Sequence, residues 1–210
     1  MTPTIGPRDE GLHAAGDDPW WGEGWSFEFG GVEDSLAGLV WLVLLPGQGV
    51  CWYWAAVTGP GRDPVVVIDH DVPLPRGRGL EIRADALWAD HIVEEPFDHV
   101  SVGCEAFALR LDAEDRQALA ADPWGLLVGE RTPFGLDLGW ETTPGSHPVT
   151  SLDGPAKGIE YTLDCQVVGE VLVGDERFEL DAHGARSHSW GERDWRAASP
   201  WRRAVWVRGR

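Results

Sequence analysis

The ten residues from Arg186 to Trp195 hold the densest group of reactive side chains, in the order Arg-Ser-His-Ser-Trp-Gly-Glu-Arg-Asp-Trp. If this stretch is extended, Arg186, His188 and Trp190 share one face, because side chains alternate along a strand. A histidine can move a proton near neutral pH, and the face of an indole stabilises a nearby positive charge. The pattern predicts a proton-transfer site with His188 and Trp190 as catalytic residues and Arg186 as a substrate-binding residue.

Asp194 is the third predicted catalytic residue, with Trp195 beside it as a substrate-binding residue. Its carboxyl group lies beyond Gly191, so it reaches His188 only if the chain bends at that glycine. Burial raises the pKa of an aspartate and makes it a proton donor. The alternative is that the arginines, Asp194 and the tryptophans form a cluster that holds the last strands together.

The elements that would position these residues are short strands separated by Gly- and Pro-rich turns. Ala113 to Ala121 is the one convincing helix, since Asp112 can cap its start and Pro123 ends it. Residues 143–158 are predicted to form a long loop that could cover a cavity mouth. The sequence therefore predicts an all-β domain, an antiparallel barrel or a strongly curved sandwich of roughly nine or ten strands. Strands with clear patterns are Ala37 to Leu45, Val50 to Thr58, Val100 to Leu111 and Ile159 to Val173.

Trp52 and Trp54 point to one face of the strand from Val50 to Thr58, and Cys51 and Tyr53 point to the other. Two large aromatic side chains on one face either form the floor of a ligand cavity or simply pack in the core. We therefore count Trp52 and Trp54 among the substrate-binding candidates.

Composition excludes several classes of function. The formal net charge of −18 argues against binding nucleic acid, which is a polyanion. Three widely spaced cysteines suggest buried thiols in a reducing cytoplasm, and the acidic N-terminus is not a signal peptide. The longest apolar run, Leu39 to Leu45, is too short to span a membrane. No His or Cys spacing matches zinc, and nucleotide-binding motifs are missing, so the sequence predicts no metal site.

The domain organisation is predicted to be simple. Residues 1–19 form an irregular N-terminal arm, residues 20–195 one β-domain, and residues 196–210 a basic tail. Seven arginines lie between Arg186 and the end, against only Glu192 and Asp194. The basic tail either lies on the acidic body or forms a surface for a partner.

The run Arg186 to Trp195 resembles the R-x-H-S-W-G-x-R-D-W signature of a superfamily of tandem lipocalin-like (calycin) proteins. These include carotenoid hydratases (hydroxyneurosporene synthases) and AttH-like proteins. The family usually has an acid directly before the histidine, where this chain has Ser187. Weaker matches that support the resemblance are Leu87 to His91, Glu95 to Phe97, Asp137 to Thr142 and Val168 to Val171.

The resemblance implies a calycin-type barrel with an apolar cavity and a reaction that requires no cofactor. His188 and Trp190 would add water to an isoprenoid double bond, with Asp194 or another cavity acid donating the proton. His91 and Trp140 lie in shared segments and join the substrate-binding candidates. The family usually has two barrels, so a homodimer or a second lipocalin-like barrel is an expected partner.

The function expected from sequence is therefore hydration, cyclisation or isomerisation of an apolar, isoprenoid or polyketide-like molecule. The alternatives are a non-catalytic carrier of such a molecule and a half-domain that pairs with a partner chain.

Overall fold

The computed structural model describes residues 4–30, 36–77, 79–125, 128–151 and 158–197, which form one antiparallel sheet around an apolar interior. Across these residues the chain has eleven strands and one α-helix, α1 (Ala113–Ala121). The predicted all-β class with one short helix is confirmed. The strands are β1 (Trp21–Gly30), β2 (Ala37–Leu45), β3 (Val50–Thr58), β4 (Val65–Pro73), β5 (Ile82–Ala84), β6 (Leu87–Glu95), β7 (His99–Arg110), β8 (Arg131–Thr142), β9 (Val149–Ser151), β10 (Ile159–Val173) and β11 (Glu176–Glu192).

The sheet curves into a partial ring. Its strand order is β4-β3-β2-β1-β11-β10-β8-β7-β6-β5, and β9 adds to β10. A short pairing of β4 with β7, through Val65 with Arg110 and Val66 with Leu109, joins distant parts of this order. The longest strand, β11, lies between β1 and β10, so both of its edges are hydrogen-bonded. Arg186, His188 and Trp190 of the predicted site are therefore held in the middle of the sheet.

Several predicted strands have the observed bounds, because their apolar patterns are long. This is so for β2, β3 and β10. The strand missed by the sequence pattern is β9, whose three residues lie in the stretch 143–158 predicted as a loop. It pairs with Tyr161 and its neighbours on β10. Residues 152–157 of that stretch lie outside the described residues.

Two apolar layers pack on opposite faces of β2 and β3. Val40 and Leu42 belong to the interior of the curved sheet, whereas Trp41 and Val43 belong to an outer layer beneath α1. The continuous apolar run of β2 is thus buried on both faces. In the described part of the chain no helix is long and apolar enough to cross a lipid bilayer. Of the predicted basic tail, residues 198–210 lie outside the described residues.

Candidate functional site

His188 lies in the interior, where β11 pairs with Trp25 of β1 and with Tyr161 of β10. Only 2% of its side chain is exposed. The rings of His188 and Trp190 are 5.0 Å apart between centroids, and Arg186 is buried on the same face. The predicted shared face of these three side chains is confirmed, because β11 runs extended through all of them.

Two acceptors fix the orientation of the His188 ring. Nδ1 lies 2.8 Å from the backbone carbonyl oxygen of Asp9, and Nε2 lies 2.9 Å from Oε1 of Glu23. A carbonyl oxygen can only accept, so Nδ1 carries the proton of its bond. The other ring nitrogen, Nε2, faces the buried carboxylate of Glu23.

Glu23 is shared between two histidines. Its side chain is only 1% exposed, and Oε1 lies 2.7 Å from Nδ1 of His13 as well as next to His188. Burial alone would raise the pKa of Glu23, but hydrogen bonds from His13 and His188 outweigh burial and lower it. For His13 the directions are reversed. Burial alone would lower its pKa, but the hydrogen bonds and negative charges of Glu23 and Asp9 outweigh burial and raise it. The carboxylate and its two imidazoles thus form one electrostatically coupled unit.

A second buried pair lies beside this unit. Nη1 of Arg186 donates to both carboxylate oxygens of Glu10, at 2.9 and 2.7 Å. The hydroxyl of Tyr161 donates to the same carboxylate. Burial and then the Glu10 charge raise the pKa of Tyr161 well above its ordinary value, so the phenol keeps its proton. Arg186 therefore anchors the arm through Nη1, while its Nε and Nη2 have no hydrogen-bond partner among the described residues.

The N-terminal arm supplies much of this site. A 3₁₀ turn at Pro7–Glu10 carries Asp9 and Glu10, and His13 follows it. The ring of His13 stacks on Trp190, with centroids 3.9 Å apart and planes 13° apart. Sequence reasoning missed Glu10 and His13, since nothing local in a Gly- and Pro-rich stretch indicates partners so distant along the chain. It also missed Tyr161, which lies on the predicted strand β10 but whose partner Glu10 is 151 residues away.

Glu23 could have been found from the sequence. It lies two residues before Trp25, so alternation places it on the same face as Trp25 and Phe27. A lone acid on an otherwise apolar strand face indicates a buried partner.

The space next to His188 is very small. A cavity of about 10 Å³ lies among Trp25, Tyr161 and His188, which is room for about one water molecule. A larger open cleft of about 710 Å³ lies between the arm and β6, and we call it the arm cleft. Residues that line both spaces are Glu10, Trp25, Leu80, His91 and Val93.

His91 on β6 links the cavity and the arm cleft. Its side chain is 5% exposed, its ring lies 5.6 Å from Phe27 and 5.8 Å from Tyr53, and burial lowers its pKa to about 4. The ring is therefore neutral near pH 7, with one N–H donor and one acceptor nitrogen. Neither nitrogen makes a hydrogen bond of normal length and angle to a described residue, although the nearby Leu80 backbone partly offsets the lowering of the His91 pKa.

Trp140 also lies in the interior, but in the packed core. It is fully buried, its ring lies 5.1 Å from Phe27, and its Nε1 donates to the Glu28 carbonyl oxygen at 3.3 Å. Neither the cavity nor the arm cleft is lined by Trp140.

Four predicted site residues lie in or at the outer layer instead, and the structure does not bring them to His188. Trp52 and Trp54 pack there, because alternation in β3 turns Cys51 and Tyr53 inward. Trp195, which follows the end of β11, packs in the same layer. Trp195 lies against Gly22 and Gly24, where an added Cβ would come within 2.4 and 2.8 Å of its ring. Asp194 is exposed, and its Oδ1 accepts from the backbone N–H groups of Arg196 and Ala197.

A family model described as a domain of unknown function, DUF7064, matches residues 6–209. The chain belongs to this family. The match includes the arm residues Asp9, Glu10 and His13 together with β11, so the arm and the sheet that it covers fall within one family domain. No curated protein matches the chain.

Proposed function

We propose that this protein binds an apolar small molecule with one hydrogen-bonding group in the arm cleft. The observation that carries the proposal is His91, a buried neutral imidazole that lines the cleft and has no hydrogen-bond partner among the described residues. A buried polar group without a partner costs roughly 1–3 kcal/mol. A ligand hydroxyl or carbonyl would remove that cost if it displaces the groups that now cover the two buried ring nitrogens of His91.

The lining of the cleft supports an apolar ligand. Trp25, Leu80, Ile92, Val93 and Pro96 supply apolar surface, and the volume of about 710 Å³ falls within the usual size of small-molecule sites. Charged residues such as Glu81 and Asp90 also line it. An isoprenoid or polyketide-like molecule, largely hydrocarbon with one oxygen, matches this surface.

The catalytic form of the proposal is hydration, cyclisation or isomerisation by proton transfer, without a cofactor. His188 would move the proton, supported by Glu23 at 2.9 Å, and Trp190 would stabilise positive charge beside it. The backbone carbonyl oxygen of Asp9 accepts a hydrogen bond from His188, and the cavity beside this ring has a volume of only about 10 Å³. A substrate must therefore displace the turn Pro7–Glu10 to reach His188, and we include that displacement in the proposal.

A second candidate is a carrier that binds the same ligand without changing it. The specific observation in its favour is that His188 is 2% exposed and covered by the arm. A carrier needs only the arm cleft and His91.

Binding can be tested with farnesol and its hydrocarbon analogue farnesene, measured by displacement of the dye Nile red. We expect farnesol to bind roughly 3- to 10-fold more tightly, the effect of one net hydrogen bond. His91→Phe should lose this preference and keep farnesene binding. His183→Phe, the same change at an exposed histidine of β11, should leave the preference intact. A preference for farnesol that survives in His91→Phe would reject His91 as the anchor.

Turnover separates the two candidates. The enzyme reading expects solvent deuterium to enter carbon-bound positions of farnesol in D₂O, because the proton transfer proposed here forms a C–H bond at the alkene. It expects His188→Gln to lose this carbon exchange while farnesol affinity is unchanged. The carrier reading expects farnesol binding with no exchange in the unmodified protein. Circular dichroism of the variant checks that it is folded.

A further inference from the structure

Three side chains from three separate parts of the chain converge on one point. Nδ1 of His13, a carboxylate oxygen of Glu23 and Nε2 of His188 all lie within 4.8 Å of one another. They come from the arm, from β1 and from β11. We propose that these three atoms bind a divalent transition metal ion of the zinc type.

The donor set fits such an ion. Two imidazole nitrogens and one carboxylate oxygen are borderline ligands that suit Zn²⁺ and related metals better than Mg²⁺ or Ca²⁺. Two histidines and one acidic residue around an open position are also the ligand set of several catalytic zinc sites. This proposal does not rest on ligand binding in the arm cleft, because none of the three ligands lines that cleft. It shares His188 and Glu23 with the catalytic form of the proposed function, so a bound metal ion would prevent His188 Nε2 from moving a proton.

The distances need only a small adjustment. The carboxylate oxygen Oε1 lies 2.7 Å from His13 Nδ1 and 2.9 Å from His188 Nε2. Tetrahedral ligands with bonds of about 2.0 Å lie about 3.3 Å apart. Oε1 of Glu23 and each histidine nitrogen would therefore move apart by roughly half an ångström, and the two histidine nitrogens, which lie within 4.8 Å of each other, would take up the same spacing of about 3.3 Å.

The opposite nitrogens of both histidines provide an independent observation. Nδ1 of His188 lies 2.8 Å from the carbonyl oxygen of Asp9, and Nε2 of His13 lies 3.4 Å from the Asp9 carboxylate. Metal-binding histidines usually donate their second N–H to a carbonyl or a carboxylate, which orients the ring. Here a single residue does this for both rings and leaves the proposed ligand nitrogens facing Glu23.

Two further features favour the site. Trp190 stacks on His13 at 3.9 Å and fixes the plane of that ring. His13 is 21% exposed on its side chain, so the site is open on that side to a water molecule or another small fourth ligand. The two negative charges of Asp9 and Glu23 balance the charge of a divalent ion. Glu10 is not counted, because its charge is already balanced by Arg186.

The test uses the full chain after dialysis against EDTA, titrated with zinc sulfate by calorimetry and with cobalt chloride by visible absorption. We expect one equivalent of Zn²⁺ per chain and cobalt d–d bands of tetrahedral or five-coordinate type. His13→Ala and Glu23→Gln should each weaken binding at least about tenfold. Zinc should also raise the melting temperature of the unmodified protein and not that of His13→Ala.

The matched controls are a histidine and a glutamate that lie on the same strands as the two buried ligands but are exposed to solvent. His183→Ala on β11 and Glu28→Gln on β1 should bind zinc as the unmodified protein does. His13 lies on the arm and is partly exposed, so His13→Ala decides the question if Glu23→Gln does not fold. No stoichiometric binding, or binding that His13→Ala leaves unchanged, would overturn the proposal.

Discussion

The buried ion pair between Glu10 and Arg186 allows a sharp test of how the arm is held. Both side chains are nearly inaccessible to solvent, at 2% and 5% exposure. Nε and Nη2 of Arg186 already have no hydrogen-bond partner among the described residues, so Glu10 is the carboxylate that compensates the guanidinium charge. We therefore predict that Glu10→Gln strongly destabilises the fold.

The expected loss of stability follows from the guanidinium charge of Arg186, which Glu10→Gln leaves buried without a carboxylate. Removing one partner of a buried pair costs about 3–5 kcal/mol, because the remaining charge is uncompensated. The glutamine oxygen can still accept one N–H, so we expect a loss near the lower end, about 3 kcal/mol, in the free energy of unfolding. The double variant Arg186→Met, Glu10→Leu removes both charges. Its free energy of unfolding should be closer to that of the unmodified protein than the value for Glu10→Gln is.

A surface pair provides the matched control. Arg62 donates to both carboxylate oxygens of Glu176, at 2.8 and 2.9 Å, but these side chains are 40% and 56% exposed. Exposed pairs contribute about 0–1 kcal/mol, so Glu176→Gln should change stability by less than about 1 kcal/mol. The two variants thus make the same chemical change to two bidentate pairs that differ in burial.

Urea unfolding followed by tryptophan fluorescence gives both free energies. Trypsin cleavage after Arg8 gives an independent measure of arm release, since that bond lies in the turn Pro7–Glu10. Glu10→Gln should lower the unfolding midpoint and speed this cleavage. Equal midpoints for the two variants, with no faster cleavage after Arg8, would refute the reasoning that the buried pair holds the arm.

Two further predictions concern the interior and the outer layer. The pKa of His91 is lowered from 6.5 to about 4, so the unfolded chain binds the proton more readily and stability should fall as pH drops from 6.5 toward 4. The shift corresponds to roughly 3 kcal/mol, and His91→Phe should flatten that part of the stability–pH curve; an unchanged slope would contradict a neutral buried ring. Gly22→Ala places a Cβ 2.4 Å from Trp195, so we expect a loss of about 1–3 kcal/mol by thermal unfolding. Gly30→Ala is its control, because among the described residues its Cβ would have no neighbour closer than 3.9 Å. Equal melting temperatures would argue against close packing of Trp195 on β1.

The sequence predicted many strand bounds and strand faces, because both depend on the pattern of apolar residues within a single strand. The apolar runs of β2, β3 and β10 gave their bounds, and alternation along β11 put Arg186, His188 and Trp190 on one face. Alternation in β3 also separated Trp52 from Tyr53 correctly. It could not say which face is interior, since that depends on α1 covering the other one.

Alternation could indicate that Glu23 is buried, but it could not indicate that Glu23 and Asp9 are the polar partners of His188. Glu23 lies 165 residues away along the chain and Asp9 lies 179 residues away, so their meeting depends on the pairing of β11 with β1 and on the path of the arm. A Gly- and Pro-rich stretch has no periodicity that indicates burial. The pairing of a first strand with a last strand is a property of the whole topology, and short motifs do not encode it.

The arm links the two proposed sites, and this follows from which atoms it contributes. Glu10 lines the arm cleft and bonds to Arg186, while Asp9 and His13 hold the rings around Glu23. A ligand that displaces the turn Pro7–Glu10 would also remove the Asp9 contacts that orient both histidines. Ligand entry at His188 and metal binding should therefore oppose each other, whereas ligand binding confined to the arm cleft should leave metal affinity unchanged. Zinc titrations with and without farnesol distinguish these cases, because reciprocal weakening is required if both events act on the same turn.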